Sequence, residues 1–256
     1  QNIARSFNRA ACSYDLFSTL QKTVGHTLLN KLDKRNISPQ QIADLGGGTG
    51  YFSTQLANQH TMAQVYNLDI AQAMLDVAAK ASGSTNQCHQ VCADFDAIPF
   101  QANTLDLVFS NMALQWSSQL DTVFSCCHSA LKQAGVFSFS MPVLGSLPEL
   151  SHCFRTIFGG TASQHFYSEI DLKTQLARLR FSSVQIVTEQ LVLTYDNIDD
   201  IFSFLKKTDE NYQKPHTSVL YPRAYKKLLS ATSEPFRNQQ GQLPLTFKIA
   251  YIIAVK

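Results

Sequence analysis

The sequence predicts an α/β fold, a mostly parallel sheet flanked by helices and closed by a β-hairpin, and three observations carry that prediction. Between residues 40 and 141, short apolar strands alternate with helical stretches, the pattern of right-handed crossover units. One of these strands ends in the glycine run Asp44-Leu45-Gly46-Gly47-Gly48-Thr49-Gly50 and leads into a helix. The last residues, Leu243 to Val255, form a β-rich run suited to a place beside the alternating stretch 181–194.

The elements follow in order. Residues 13–34 carry Leu16, Leu20, Val24, Leu28 and Leu32 at helical spacing, so an amphipathic helix precedes the first strand. After the break at Ser38-Pro39 come a strand at 41–45, a helix at 50–59, a strand at 64–69, a helix at 71–81 and strands at 88–93 and 104–110. A helix at 119–132 and a strand at 134–141 complete the alternation. The pattern then changes to helices at 146–158 and 168–178, the strand 181–194, and helices at 197–208 and 222–232 before the closing strand at 243–255. Two long strands so far apart in the chain form an unusual ending for a dinucleotide-binding sheet, which is mostly or wholly parallel.

Composition bounds the function. A chain of 256 residues with 45% hydrophobic and 16% charged side chains is an ordinary globular protein, expected as a single domain and a monomer. A net charge of +2 falls short of the excess needed to grip a phosphate backbone, so no nucleic-acid partner is expected. Lys206, Lys207, Lys214, Arg223, Lys226, Lys227 and Arg237 nevertheless gather in the C-terminal quarter, a pattern that fits either a dock for an acidic macromolecule or a solvated, mixed-charge helix surface. The six cysteines lack zinc-site spacing and are expected as buried, reduced thiols; the seven histidines show no ligand spacing either, so no metal is expected. With no signal-peptide core and no apolar run of about 18 residues, the expected setting is the cytoplasm, away from membranes.

The glycine run is the most specific local signal. Glycines are required where a ligand lies against the backbone. A nicotinamide fingerprint places them first, third and sixth, whereas here they stand at Gly46, Gly48 and Gly50, with Tyr51 in the sixth place. A phosphate-binding loop ending in Gly-Lys-Ser/Thr is absent. Asp44, just before the glycines, repels a pyrophosphate but suits an α-ammonium group such as methionine's. The next strand, Val65 to Asp69, ends in an acid placed to accept ribose hydroxyls, followed by Ile70. A third acid, Asp94, follows the strand at 88–93, with Phe95 after it to stack on a purine ring.

In that order these residues resemble the class I S-adenosylmethionine methyltransferases. The resemblance implies a Rossmann-like, mostly parallel seven-stranded sheet with an antiparallel C-terminal strand, a helical N-terminal lid over 1–36, a cofactor-binding core over 40–141, and helical acceptor-side segments at 142–180 and 197–235. Further stretches resemble one family, the malonyl-acyl-carrier-protein O-methyltransferases of biotin synthesis called BioC. These are Phe7-Asn8-Arg9-Ala10-Ala11 with Tyr14 and Leu20-Gln21-Lys22, Ser110-Asn111-Met112-Ala113-Leu114-Gln115-Trp116, Gly145-Ser146-Leu147-Pro148-Glu149-Leu150 and Leu243-Pro244-Leu245-Thr246-Phe247. Departures are Asn8 for glycine, Lys22 for arginine, and Leu205-Lys206-Lys207-Thr208-Asp209-Glu210 for Leu-Lys-x-x-Gly-Ala.

The resemblance implies S-adenosylmethionine as cofactor, S-adenosylhomocysteine as product, and acyl carrier protein bearing a malonyl group as partner. Cofactor contacts are expected at Asp44, Gly46, Gly48, Gly50, Asp69, Ile70, Asp94, Phe95 and Asn111. Tyr14 and Gln21 on the lid, with Gln115 and Trp116 after the fourth strand, are the expected catalytic set; Arg9, Arg155 and Arg223 are the candidate cations for the malonyl carboxylate. Other acceptors, small carboxylic acids or phenols, a dehydrogenase and a binding module that has lost catalysis stand as alternatives.

Overall fold

Residues 2–81, 87–158, 166–208 and 230–256 are described in the computed structural model of the chain. It opens with helices α1 (Asn2–Ala10), α2 (Tyr14–Phe17) and α3 (Thr19–Asp33). The single helix expected over 13–34 is thus divided, and α1 is additional. The division has a local cause: Ser18 Oγ donates to the Asp15 carbonyl at 3.1 Å, a side-chain bond that competes with the helical ladder. Leu16 is left 76% exposed, while Leu20, Val24, Leu28 and Leu32 are buried as their spacing requires.

The alternation that follows is β1 (Gln41–Leu45), α4 (Tyr51–Gln59), β2 (Gln64–Asp69), α5 (Gln72–Ala81), β3 (Cys88–Cys92), β4 (Leu105–Asn111), α6 (Leu120–Ala130) and β5 (Leu131–Pro142). The helix expected to reach 132 stops at Ala130. Leu131 is fully buried and pairs with Leu105 on β4, so strand pairing overrides helical continuation there. Next come α7 (Pro148–Phe158), α8 (Glu169–Ala177), β6 (Ser183–Tyr195), α9 (Ile198–Thr208) and β7 (Leu243–Val255). Ser168 caps α8 in a reciprocal box with Asp171, and Pro148 opens α7 where its missing N–H costs nothing. Most of the helix expected at 222–232 lies outside the described residues.

The strands form one sheet in the order β3-β2-β1-β4-β5-β7-β6, the first five parallel in register. β7 runs against β5: Lys256 N–H donates to the Gly135 carbonyl, and Val143 N–H to that of Lys248. The closing strand therefore sits beside 181–194 and reverses the sheet's direction, as expected. The chain steps outward from β1 to β2 and β3, then crosses back to β4 on the other side of β1, so the carboxyl ends of β1 and β4 flank a topological switch point, where open α/β sheets bind ligands.

The chain divides into two compact units. The first comprises 1–141, 168–187 and 250–256. Its core is the sheet centre, with Ile42, Leu45, Val65, Leu68 and Leu107 fully buried and the Phe124 ring packed 5.7 Å and 5.1 Å from those of Phe137 and Phe139. The second comprises 142–167 and 188–249. There the Glu149 carboxylate accepts from Thr246 Oγ1 at 2.5 Å and Thr246 N at 3.2 Å, and Ser146 Oγ donates to the Lys248 carbonyl at 3.0 Å. All six cysteines are free, but only Cys127 on α6 and Cys153 on α7 are buried: Cys88 and Cys126 are half-buried and Cys12 and Cys92 exposed, so the expectation of uniformly buried thiols fails at four positions.

Candidate functional site

At the tip of β1 the chain turns through three left-handed glycines, Gly46 (φ 68°), Gly48 (φ 58°) and Gly50 (φ 77°), before α4 begins. Two positions in this loop are glycine for opposite reasons. A Cβ on Gly47 would strike the Asn67 side chain and stand 2.7 Å from the Asp44 carboxylate, so that glycine serves internal packing. A Cβ on Gly48 would meet nothing within 4 Å, so that glycine leaves backbone bare on the open side of the loop. A group lying against the chain fits there.

Two carboxylates bracket this bare backbone. Asp44, 1% exposed, accepts from Ser53 Oγ at 2.7 Å. Burial pushes its acid up from the ordinary 3.8 to about 7, with the Ser53 hydroxyl pulling down and the Asp69 charge pushing up. Asp69, at the tip of β2, accepts from Gly48 N at 3.0 Å and Ala71 N at 2.8 Å, and burial also raises its pKa. One lone pair thus holds the glycine loop and another the start of α5. At the tip of β3, Asp94 is exposed and caps the following turn through Oδ1, which accepts from Asp96 N at 2.9 Å. Phe95 stands 3.7 Å from the position a Gly46 Cβ would occupy, which brings an aromatic ring to the loop.

The N-terminal helices and the tip of β4 border the same loop. A cavity of about 50 Å3 lies between α2, α3 and the glycine loop; of the expected site residues, Tyr14, Gln21, Asp44, Gly46, Gly48 and Asn111 line it. Asn111 joins the two sides: Nδ2 donates to the Gln21 carbonyl at 2.9 Å, and Oδ1 accepts from Ser140 Oγ at 2.8 Å. Gln115 Nε2 donates to the Met112 carbonyl at 2.8 Å. Its Oε1, like that of Gln21, is buried without a hydrogen-bond partner, so two amide oxygens here still call for a donor. Trp116 packs edge-on against Phe7 at 6.4 Å, and Phe7 against Tyr14 at 6.2 Å, which links three aromatic rings across α1, α2 and the β4 end.

Sequence reasoning passed over several of these residues. Lys22, Thr49 and Tyr51 also line the cavity, and Thr49 Oγ1 joins the glycine loop to α2 by donating to Asp15 Oδ1 at 2.9 Å. Asn67 supports the loop from below, its Nδ2 donating to the Gly48 carbonyl at 3.2 Å; the signal was a polar side chain inside an apolar strand. Asn8 Oδ1 accepts from Ala73 N at 2.8 Å and so caps α5 from α1. Of the candidate cations, Arg9 is exposed on α1, Arg155 is exposed on α7 in the second unit, and Arg223 lies outside the described residues. The side chains of Lys206, Lys207, Lys226 and Lys227 lie outside them as well. Among the described residues no helix is long and apolar enough to cross a membrane, and no three metal-binding side chains are grouped.

Residues 43–139 match the family model described as a methyltransferase domain. Over 97% of its length the chain is 33% identical to a malonyl-acyl-carrier-protein O-methyltransferase of Methylovorus sp. (strain MP688), covering 86% of that protein. Among solved structures it resembles the YcgJ protein of Bacillus subtilis, with a TM-score of 0.64, 17% identity, and coverage of 90% of this chain and 98% of that one. It also resembles a Haemonchus contortus phosphoethanolamine N-methyltransferase in complex with S-adenosylhomocysteine, with a TM-score of 0.58, 20% identity, and coverage of 90% and 52%. The two structures share the fold.

Proposed function

The chain belongs to the family of malonyl-acyl-carrier-protein O-methyltransferases, and on that premise we propose that it esterifies the free carboxylate of malonyl-acyl carrier protein, or malonyl-CoA, as an early step of pimeloyl and biotin synthesis. S-adenosylmethionine is the methyl donor and S-adenosylhomocysteine the product. The observation that carries the acceptor is the reach of the likeness: 33% identity over 97% of the chain takes in the lid and the acceptor-side segments as well as the core.

The residues present fit the donor. Asp44 is a buried carboxylate beside bare backbone, suited to an α-ammonium. Asp69 keeps lone pairs beyond those given to Gly48 and Ala71, suited to two ribose hydroxyls, with Ile70 beside it. Phe95 offers a ring to the purine and Asp94 an acceptor to its amino group. Gly46, Gly48, Gly50 and Asn111 shape the wall between them.

S-adenosylmethionine supplies an electrophilic methyl group on a sulfonium. A carboxylate oxygen of the malonyl group bonds to that carbon while the carbon–sulfur pair stays on sulfur. The acceptor is already ionised at neutral pH, so no side chain needs to take a proton. The protein's work is alignment and exclusion of water. Tyr14 and Gln21 cover the reacting groups from the lid, and Gln115 and Trp116 flank them from the β4 end. One of Arg9, Arg155 and Arg223 holds the malonyl carboxylate by one oxygen, and the basic cluster of Lys206, Lys207, Arg223, Lys226 and Lys227 steers the acidic carrier. Mass spectrometry of malonyl, succinyl and acetyl carriers after incubation with isotope-labelled donor tests the reading. One added methyl on the malonyl carrier alone supports it, and labelling of another carrier or of none overturns it.

A further inference from the structure

Among the described residues that line the cavity, Lys22 is the one with a positive charge. Its ammonium donates to the Asp15 carbonyl at 3.1 Å and lies 4.9 Å from the centroid of the Tyr51 ring. Those partners, a neutral carbonyl and a π face, leave its charge without a carboxylate. The nearby acids are engaged otherwise: Asp15 Oδ1 by Thr49, and Asp44 by Ser53. The site thus presents carboxylates and a single half-buried cation within one small enclosure.

A free amino-acid group carries its ammonium and its carboxylate on the same carbon, so whatever binds one end must have the partner of the other end close by. A pocket that offers only acids attracts the ammonium and repels the carboxylate. A cation beside those acids, with donors to spare, corrects the mismatch. We propose that Lys22 receives the α-carboxylate of the methyl donor's methionine end, opposite Asp44 at the ammonium. The assignment rests on the reading of the chain as an S-adenosylmethionine enzyme and gives Lys22 a role in positioning the donor, distinct from the cation that selects the malonyl group.

Calorimetry on the full chain with two probes tests it: S-adenosylhomocysteine, which has both ends, and decarboxylated S-adenosylmethionine, which keeps the amine and lacks the carboxylate. Lys22→Met is expected to weaken the first by about 10- to 100-fold, the range for a lost charge-assisted bond. The second should bind the variant within about twofold of the unaltered chain, well inside the scatter such truncations show, which also reports that the variant is folded. Lys22→Arg should restore most of the first affinity, and the KM for malonyl carrier at saturating donor should stay unchanged in both variants. Equal loss for both probes makes Lys22 a fastener of the lid and overturns the proposal. So does no loss for either, or a raised carrier KM with S-adenosylhomocysteine affinity intact. If the unaltered chain binds no S-adenosylhomocysteine, the enzyme reading itself fails, whatever the variants do.

Discussion

The donor's affinity should follow the ionisation of Asp44, and the structure sets the scale. Burial holds this acid near 7, so at neutral pH about half of the unliganded molecules carry it protonated. A carboxylic acid cannot pair with an ammonium until it gives up its proton, so each pH unit below 7 costs up to tenfold in affinity. With the acid at about 7, S-adenosylhomocysteine should bind about tenfold more weakly at pH 6 than at pH 8, with a plateau above. Binding at pH 7 should release about half a proton. Calorimetry in phosphate and in Tris measures that proton, because the two buffers differ widely in ionisation enthalpy. Asp69 is raised by burial as well, so Asp44→Asn separates the two acids: the variant should bind more weakly at pH 8, and its profile should lose most of its slope. A dissociation constant that is flat from pH 6 to 8, with no buffer dependence, would refute the pairing of Asp44 with the ligand's amine. The same shift has a consequence for folding with the opposite sign. An acid raised from 3.8 to about 7 in the folded state favours unfolding as pH climbs between those values, by about 4 kcal/mol at most. Saturating donor should recover much of that loss above pH 7.

Three substitutions test how the site is held. Gly48→Ala places a methyl in open space but on a left-handed backbone (φ 58°), so it should cost about 1 kcal/mol in thermal unfolding yet abolish measurable S-adenosylhomocysteine binding. Gly25→Ala gains up to about 1 kcal/mol in helix propensity but drives a methyl into the ring of buried Phe52, at about 1–3 kcal/mol; the net result should be a lower denaturant midpoint, which a stabilised variant would contradict. Asn8→Gly removes the cap that α1 places on α5 and should cost about 1 kcal/mol, seen as faster amide exchange at Ala73; unchanged exchange would show that water replaces the cap without loss.

The sequence was most legible where chemistry demands particular residue types at particular strand tips. Asp44, Asp69 and the glycines were readable because a left-handed turn at a strand tip admits glycine and acids at successive strand tips stand out from apolar strands, and the parallel pairing follows from the helices between the strands. The division of the N-terminal helix at Ser18 was not readable, since the apolar spacing of Leu16 with Leu20 fits a continuous helix until Ser18 bonds to the Asp15 carbonyl. Lys22 stood out only as a replacement of the family's arginine and carried no role, because a lysine on an amphipathic helix has the look of a solvated charge until Tyr51 and the glycine loop are brought beside it. Phe7 and Asn8 lie in a stretch with little apolar periodicity, and their partners Trp116 and Ala73 are distant in the chain.

The acceptor side resists reading for a deeper reason. Methyl transfer to a preformed carboxylate asks for no base, no nucleophilic side chain and no metal, so the chain has no need of residue types that announce themselves. What remains is the placing of backbone, and that shows in Met112. It adopts φ 53°, a conformation that costs a side-chain-bearing residue on the order of 1–2 kcal/mol. Its N–H donates to the Ser140 carbonyl at 3.0 Å, and its carbonyl accepts from Gln115 Nε2 at 2.8 Å. Two such bonds offset the strain, each contributing about 1 kcal/mol. The strained residue lies directly between Asn111, which bonds to α3 through the Gln21 carbonyl, and the turn that carries Gln115 and Trp116, so the bend at Met112 sets the direction of that turn from the end of β4. A methionine in a string of ordinary residues gives no hint of this. The information is in the dihedral, and only neighbours 28 residues away at Ser140 make that dihedral affordable.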